Sequence, residues 1–164
     1  MLGRASRLRL PAAEVLETLA ARGSTLATAE SLTGGQLAAL LTAVPGASRC
    51  FRGGVVSYAT GVKVSVLGVP SSVVAGPGVI SAECALAMAR GVRDALAASY
   101  GVSTTGVAGP SWQEGHPPGT VFVGLSGPSG DRVLPLELAG SRDEIQRATC
   151  REALLGLAAL LAAE

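Results

Sequence analysis

One stretch of this 164-residue chain combines residue types and spacing that can do chemistry at a strand-to-helix turn. Residues 28–36 read TAESLTGGQ and lie between a β-type run at 24–28 and a helical run at 37–43. A turn of this kind directs free backbone N–H groups and the positive end of the helix dipole at whatever lies above it. It therefore suits a phosphate, a carboxylate or a developing oxyanion, and Ser31 is a candidate nucleophile.

The same turn also has a plainer interpretation, in which its polar side chains only cap the helix. Ser31 or Thr33 would then be the N-cap, and Thr33 with Gln36 would form a capping box. Gly34 and Gly35 lack a Cβ atom and would let a ligand approach the backbone closely. The choice between a cap and a functional turn therefore depends on residues further along the chain.

A serine nucleophile needs a base that accepts its proton. The only histidine, His116, lies in a Pro-rich loop with no assigned partner, so a Ser-His-Asp triad is a poor match. Lys63 is the only lysine of the chain, and a lysine can replace histidine when burial or a neighbouring cation lowers its pKa. The alternatives are a Lys63 that extends to solvent from a short helix and a Tyr58 that is only a half-buried strand residue.

Other catalytic and binding templates match less well. No dinucleotide-binding or phosphate-loop glycine pattern occurs, and no pair of carboxylates stands out for glycosidase chemistry. The three cysteines lie far apart without a CxxC motif, so we expect no structural zinc and reduced thiols. Cys84 and Cys150 fall inside helical patterns and are predicted to fill the core.

Composition indicates one globular domain with an aliphatic core. Hydrophobic residues make up 48% of the chain but aromatic residues only 3%, so the core must consist of Ala, Val and Leu. A net charge of +1 gives no electrostatic footprint for nucleic acid. No secretory signal is visible, and no apolar run is long enough to span a bilayer. We therefore expect a soluble, cytoplasmic protein, with residues 1–11 (including Arg4, Arg7 and Arg9) as a solvated lead-in.

The hydrophobic pattern predicts helices that alternate with strands early in the chain, followed by a hairpin. The predicted strands are residues 24–28, 53–58, 102–107, 120–126 and 132–138. The predicted helices are residues 11–22, 37–43, 60–67 (short helix or turn) and 81–100, and a last helix that opens at Ser141 through a capping box with Glu144. This order implies a mixed sheet with helices on both faces.

Ligands of such sheets bind at the edge where the carboxyl ends of the strands meet. Three of the predicted strand ends are rich in hydroxyl groups, glycine or a basic group. They are residues 30–35, residues 58–63 and residues 105–110. The sequence therefore predicts that Ser31, Tyr58, Lys63 and Thr105 lie near one another.

Four motifs, in this order, give the chain a resemblance to a known family. The segments TAESLTGG (28–35), GVVSY (54–58) with Lys63, TGVAGP (105–110) and PGTV (118–121) are similar to those of the CinA C-terminal domain family. The similarity extends from about Ala12 to Leu161. The family includes stand-alone deamidases of nicotinamide mononucleotide (NMN).

The resemblance implies a single three-layer α/β/α domain at residues 12–164, with a mixed, mostly parallel central sheet. It implies hydrolysis of the carboxamide of NMN to nicotinate mononucleotide and ammonia, without metal or cofactor, by a protein that is expected to self-associate. Ser31 would be the nucleophile, activated by Lys63 and Tyr58. The residues expected to bind the substrate are Glu30, Thr33, Gly34, Gly35, Thr105, Gly106 and Arg142.

The sequence also departs from the family pattern, which keeps other functions open. Thr60 stands where asparagine is common, Gln146 where arginine is frequent and His116 where lysine is often found, and the loop 111–118 lacks the usual Gly-rich stretch. These changes could weaken phosphate binding or shift the substrate. The alternatives are a non-catalytic nucleotide-sensing module tied to competence or DNA damage, and a different amidase or esterase that uses the same serine.

Overall fold

The computed structural model describes the backbone of residues 4–164 and the side chains from residue 11 onward. Within this range, eleven helices and strands follow one another along the chain. They are α1 (Arg4–Ala21), β1 (Leu26–Glu30), α2 (Gln36–Thr42), β2 (Phe51–Val56), α3 (Thr60–Ser65), α4 (Ser71–Ala75), α5 (Ala82–Ala95), β3 (Tyr100–Gly106), β4 (Thr120–Gly127), β5 (Gly130–Glu137) and α6 (Arg142–Ala162), with a short 3₁₀ turn at Ala47–Arg49.

The five strands form one sheet in the order β2-β1-β3-β4-β5. β1 pairs in parallel with β2 and with β3, whereas β3–β4 and β4–β5 are antiparallel. The expected α/β class and mixed sheet are confirmed. The pairings divide equally between the two kinds rather than being mostly parallel, because the β4–β5 hairpin adds one antiparallel pair and its junction with β3 adds the other.

Helices cover both faces of the sheet, as a three-layer domain requires. α5 packs on β1, β3 and β4, and α1, α2 and α6 pack together over the opposite face. Both cores are built mainly from aliphatic residues, and the three cysteines are buried and free. No helix among the described residues is long and apolar enough to cross a membrane.

Two strand glycines let α5 lie directly against the sheet. A Cβ atom on Gly124 would lie 2.2 Å from the carbonyl oxygen of Ala85, and one on Gly101 would lie 2.1 Å from that of Ala89. Any larger residue at either position would push α5 outward. The close contact also fixes the start of α5, where the Ser81 hydroxyl accepts a hydrogen bond from the Cys84 N–H group.

Some predicted boundaries were wrong. α1 begins at Arg4 rather than at Pro11, which lies inside the helix, and the side chains of Arg4, Arg7 and Arg9 fall outside the described range. α5 ends at Ala95 because the chain reverses at Ala97, whose φ of 49° is left-handed. An alanine gives no sequence signal for such a reversal. The short helix α4 lies within residues 68–80, for which no helix or strand was predicted.

Candidate active site

The carboxyl ends of β1, β2 and β3 surround a cavity of about 310 Å³. Its wall comes from the turn after β1, the β2–α3 segment, the loop that follows β3, and the start of α6. The lining residues are Ser31, Leu32, Tyr58, Thr60, Lys63, Val79, Ile80, Thr105, Gly106, Val107, Ala108, Gly109, Pro110, Ser111, Trp112, Gln113 and Arg142. The predicted convergence of strand ends is therefore present in the structure.

Lys63 and Ser31 are in direct contact at the base of this cavity. The Lys63 Nζ atom lies 3.0 Å from Ser31 Oγ, 2.6 Å from the Ser57 carbonyl oxygen and 3.4 Å from the Tyr58 carbonyl oxygen. The Lys63 side chain is only 1% exposed, whereas Ser31 is partly exposed to the cavity. The buried amine thus faces one hydroxyl group and two main-chain acceptors.

These three oxygens match the hydrogen-bonding capacity of both protonation states of Lys63. An ammonium group donates three hydrogen bonds, one to each oxygen. A neutral amine donates two, to the carbonyls of Ser57 and Tyr58, and its lone pair is left for the proton of the Ser31 hydroxyl. The amine can therefore accept the Ser31 proton without losing either carbonyl partner.

Burial is the main influence on the protonation of Lys63. It lowers the pKa of Lys63 from its ordinary value of 10.5, an effect partly opposed by Cys84 and Glu114. Burial also raises the pKa of the neighbouring Cys84 thiol to about 11, which keeps that thiol neutral at physiological pH. A lysine with a lowered pKa can serve as a general base.

Glu30 and Thr33, which were expected to bind the substrate, are buried and are not among the residues that line the cavity. Glu30 is 1% exposed, and its carboxylate accepts hydrogen bonds from the N–H groups of Leu37 (2.8 Å) and Ala38 (3.0 Å) and from the Thr33 hydroxyl (2.7 Å). The Thr33 hydroxyl also bonds to that of Thr104. Glu30 therefore caps α2 from the end of β1 and supports the turn that carries Ser31.

The glycines of the turn serve its backbone conformation. Gly34 and Gly35 have φ values of 57° and 98°, and Gly35 is the N-cap residue of α2 without a side-chain cap. Neither lines the cavity, so their predicted contact with substrate has no support from this geometry. The alternative Thr33–Gln36 capping box is not formed, because Gly35 is the N-cap residue and the Glu30 carboxylate accepts hydrogen bonds from the first N–H groups of α2.

Leu32, directly after Ser31, is one of the residues that line the cavity. Among the described residues, no acceptor pairs with the Leu32 N–H group. Its carbonyl oxygen accepts a hydrogen bond of 2.7 Å from Gln146 Nε2 on α6. Gln146 Oε1 in turn accepts one of 3.1 Å from Gln36 Nε2. Gln146 thus ties α6 to the turn by donating and accepting at once, which a carboxamide can do.

Tyr58 contacts the site in a different way from that expected. Its carbonyl group faces Lys63, but its hydroxyl accepts a hydrogen bond of 2.9 Å from Arg142 Nη2. Arg142 Nη1 donates a second bond of 2.7 Å to the Gly109 carbonyl oxygen. Of the Tyr58 atoms, the structure therefore puts the main chain, not the hydroxyl, against the amine. Arg142 lies on the cavity wall as expected.

Thr105 and Gly106 lie on the opposite wall, as predicted. The Thr105 hydroxyl donates to the Val79 carbonyl oxygen at 2.6 Å and so holds the segment before α5 against β3. The Glu114 carboxylate accepts hydrogen bonds from the N–H groups of Val79 and Ile80. These hydrogen bonds fix the positions of Val79 and Ile80, two apolar residues of the cavity lining.

Several contributors to the site were not identified from the sequence. The Ser57 and Tyr58 carbonyls are main-chain groups, which leave no sequence signal. Trp112 lies in the same Pro-rich loop as His116 and was not among the predicted site residues, although the only tryptophan of a chain is a usable sequence signal. Among the described residues, no group of three or more His, Cys, Asp or Glu side chains is placed to hold a metal ion.

Comparison with known proteins assigns the chain to a family. The model of the CinA C-terminal domain matches residues 9–161. The chain belongs to the CinA C-terminal domain family. The resemblance seen in the four motifs is thereby confirmed across almost the whole sequence.

Relatives of this CinA domain carry the same family name or a related one. A CinA-like protein of Frankia casuarinae is 54% identical over 132 residues, which are 80% of this chain and 30% of that protein. A Geobacillus kaustophilus protein named as competence-damage inducible is 46% identical over 152 residues, 92% of this chain and 37% of that protein. The chain thus spans about a third of the length of these relatives.

Solved structures of the superfamily share the fold over their full length. A CinA superfamily protein from Klebsiella pneumoniae superposes with a TM-score of 0.93 at 30% identity, covering 96% of this chain and 99% of its own. A competence/damage-inducible protein from Agrobacterium tumefaciens gives a TM-score of 0.90 at 32% identity, covering 93% and 94%. The names of these proteins refer to competence and damage induction and not to a reaction.

Proposed function

We propose that this CinA domain is an amidohydrolase that converts NMN to nicotinate mononucleotide and ammonia. The observation that carries the proposal is the 3.0 Å contact between the buried Lys63 Nζ and Ser31 Oγ at the base of an open cavity. A buried lysine beside a hydroxyl group is the arrangement that a serine nucleophile requires when no histidine is available. The substrate itself comes from the family resemblance and stays a proposal.

In the proposed reaction, Ser31 Oγ attacks the carboxamide carbon and its proton passes to Lys63 Nζ. The resulting ammonium keeps its hydrogen bonds to the Ser57 and Tyr58 carbonyl groups. It then gives the proton to the departing nitrogen, so that ammonia leaves and an acyl-serine ester remains. A water molecule that loses a proton to Lys63 hydrolyses this ester, which releases the acid and restores Ser31.

Two further groups complete the proposed site. The N–H group of Leu32, a lining residue, has no protein acceptor among the described residues and would stabilise the oxyanion. Arg142, the exposed cation of the lining, would bind the phosphate. The cavity of about 310 Å³ is at the lower end of the range for ligand pockets, roughly 300–1,000 Å³, and suits a mononucleotide.

The second candidate function is a non-catalytic nucleotide-sensing module. The names of the relatives, which refer to competence and damage induction, favour it. Against it stands the Ser31–Lys63 contact, since a sensor has no need to bury a lysine amine beside a serine hydroxyl. A cytoplasmic location and self-association stay predictions from the sequence.

Ammonia release from NMN by the purified protein separates these functions. We expect release from NMN, and much less from free nicotinamide or simple aliphatic amides, which lack the phosphate that Arg142 would bind. NMN binding without ammonia release would favour the sensing module. Comparable release from all the amides would favour a general amidase.

The bridge made by Gln146 leads to a prediction about turnover. Gln146→Glu keeps the side-chain size but replaces the donor to the Leu32 carbonyl with a carboxylate. A Leu32 carbonyl group left without its donor destabilises the observed conformation of the turn by about 1–2 kcal/mol. We therefore expect kcat to fall about 5- to 30-fold, because the turn positions Ser31. KM should change little, since Gln146 does not line the cavity. Steady-state ammonia release measures both constants.

The matched control for Gln146 is Arg151→Gln, an exposed position on the same helix. It should leave both constants unchanged. A Gln146→Glu variant with wild-type kcat would show that the bridge does not position the turn.

A further inference from the structure

The aromatic residues of this chain are distributed unevenly. The sequence has one tryptophan, two tyrosines and two phenylalanines. Only Tyr58 and Trp112 are largely exposed, at 61% and 68%, and both line the cavity that contains Ser31. A chain with few aromatic residues therefore presents its two most exposed ones at a single opening, which we call the aromatic rim.

Tyr58 extends along the path that a substrate must occupy. Its carbonyl oxygen lies 3.4 Å from Lys63 Nζ, and its hydroxyl is bonded to Arg142 at 2.9 Å. The phenol ring therefore spans from the proposed base to the proposed phosphate site. A nucleotide with its amide at Ser31 and its phosphate at Arg142 must place its ring and sugar beside this side chain.

Trp112 belongs to the loop that the same arginine holds. Arg142 Nη1 bonds to the Gly109 carbonyl oxygen, three residues before Trp112. The indole thus lies on a segment that is anchored to the proposed phosphate site. An exposed indole has no folding role that would explain its position, because 68% of its surface remains in contact with solvent.

The charge of the lining limits what these rings can recognise. Of the described residues that line the cavity, none is acidic, and Lys63 and Arg142 are its basic residues. A flat cationic ring would therefore find no carboxylate among the lining side chains, and the nearby carboxylate of Glu114 is already bonded to the N–H groups of Val79 and Ile80. The faces of aromatic side chains attract cations through their negative quadrupole, and tryptophan does so most strongly.

We propose that the aromatic rim, and Trp112 above all, binds the positively charged pyridine ring of the substrate and selects it over the neutral dihydropyridine form. This inference rests on the proposed function and adds a specificity-determining residue to it. The site would accept oxidised pyridine mononucleotides and discriminate against reduced ones that carry the same sugar, phosphate and carboxamide.

Calorimetric titration of a Ser31→Ala variant, which prevents turnover, tests the proposal. NMN and its dihydro form are the two ligands. We expect the dihydro form to bind about 3- to 30-fold more weakly, the range that a cation–π contact supplies. Adding Trp112→Ala should weaken NMN binding by a similar factor and remove most of the discrimination, whereas Trp112→Phe should keep part of it.

Val66→Ala is the control, because Val66 is also an exposed apolar residue but lies outside this cavity. Added to Ser31→Ala, this substitution should leave the affinity for both ligands equal to that of Ser31→Ala alone. The inference would be overturned if Trp112→Ala left NMN binding unchanged, or if Ser31→Ala alone bound both ligands equally well. The proposed function would still stand in that case, provided that the wild-type protein releases ammonia from NMN. If wild type neither binds NMN nor releases ammonia from it, both are wrong.

Discussion

Replacement of Ser31 by alanine is expected to lower kcat/KM for NMN by about 10⁴-fold or more, since the loss of a nucleophile removes the covalent route entirely. The Ser31 hydroxyl is the reactive side chain in contact with Lys63 Nζ, at 3.0 Å. Substrate binding should persist because Arg142 and the aromatic rim are unchanged. Ammonia release measures the first effect, and calorimetric titration with NMN measures the second.

The control for Ser31 is Ser65→Ala, an exposed serine on α3. It should retain wild-type activity. A Ser31→Ala variant that still hydrolysed NMN within a few fold of wild type would exclude the acyl-serine route and leave only attack by water.

The second large effect is expected at Lys63. Lys63→Met removes the base and should lower kcat/KM by about 10²- to 10⁴-fold, the usual contribution of general-base catalysis. Lys63→Arg should be equally inactive, because a guanidinium stays protonated at any working pH. An active Lys63→Arg variant would show that the site needs a positive charge at this position rather than a base.

The wild-type pH profile gives an independent measure of the same amine. Only neutral Lys63 can accept the Ser31 proton, so kcat/KM should rise with pH and level off above the pKa of Lys63. Because burial lowers that pKa, the midpoint should fall below 10.5. A rise that continues unchanged through 10.5 would contradict the role of Lys63.

Stability should follow the same shift. Between the lowered pKa and 10.5, the unfolded chain holds a proton on Lys63 that the folded chain has released. The free energy of unfolding of wild type, relative to Lys63→Met, should therefore increase with pH across this window. Denaturant unfolding at several pH values measures the difference. An unchanged difference would mean that the amine titrates equally in both states.

The sequence was sufficient to predict the central contact of the candidate site, which joins Ser31 and Lys63. Ser31 and Lys63 are separated by 32 positions, yet each follows a predicted strand, and the ends of parallel strands meet at one edge. That topological rule, together with the fact that Lys63 is the only lysine of the chain, was enough to predict that Ser31 and Lys63 lie close together. The aliphatic core and the mixed sheet were predicted for similar reasons, since both follow from composition and the order of elements.

The direction of individual side chains was not predictable in the same way. Glu30 stands beside the nucleophile in the sequence, but alternation at the end of β1 points its carboxylate into the protein. Gln146 is 114 positions from Leu32, and the register that joins them depends on how α6 packs. Tyr58 offers both a carbonyl and a hydroxyl group, and the local fold decided which one faces Lys63.

The internal cap made by Glu30 affects how the phosphate of the proposed substrate would be held. Since this carboxylate occupies the N–H groups at the start of α2, the helix dipole is neutralised from within. The phosphate would then be left to Arg142, which is exposed, and mobile ions would screen the attraction over a Debye length of about 8 Å at physiological ionic strength. Added salt should therefore raise KM for NMN and leave kcat nearly constant, because the Ser31–Lys63 pair is shielded from those ions. Binding strength and chemical rate would respond separately to the ionic composition of the surroundings.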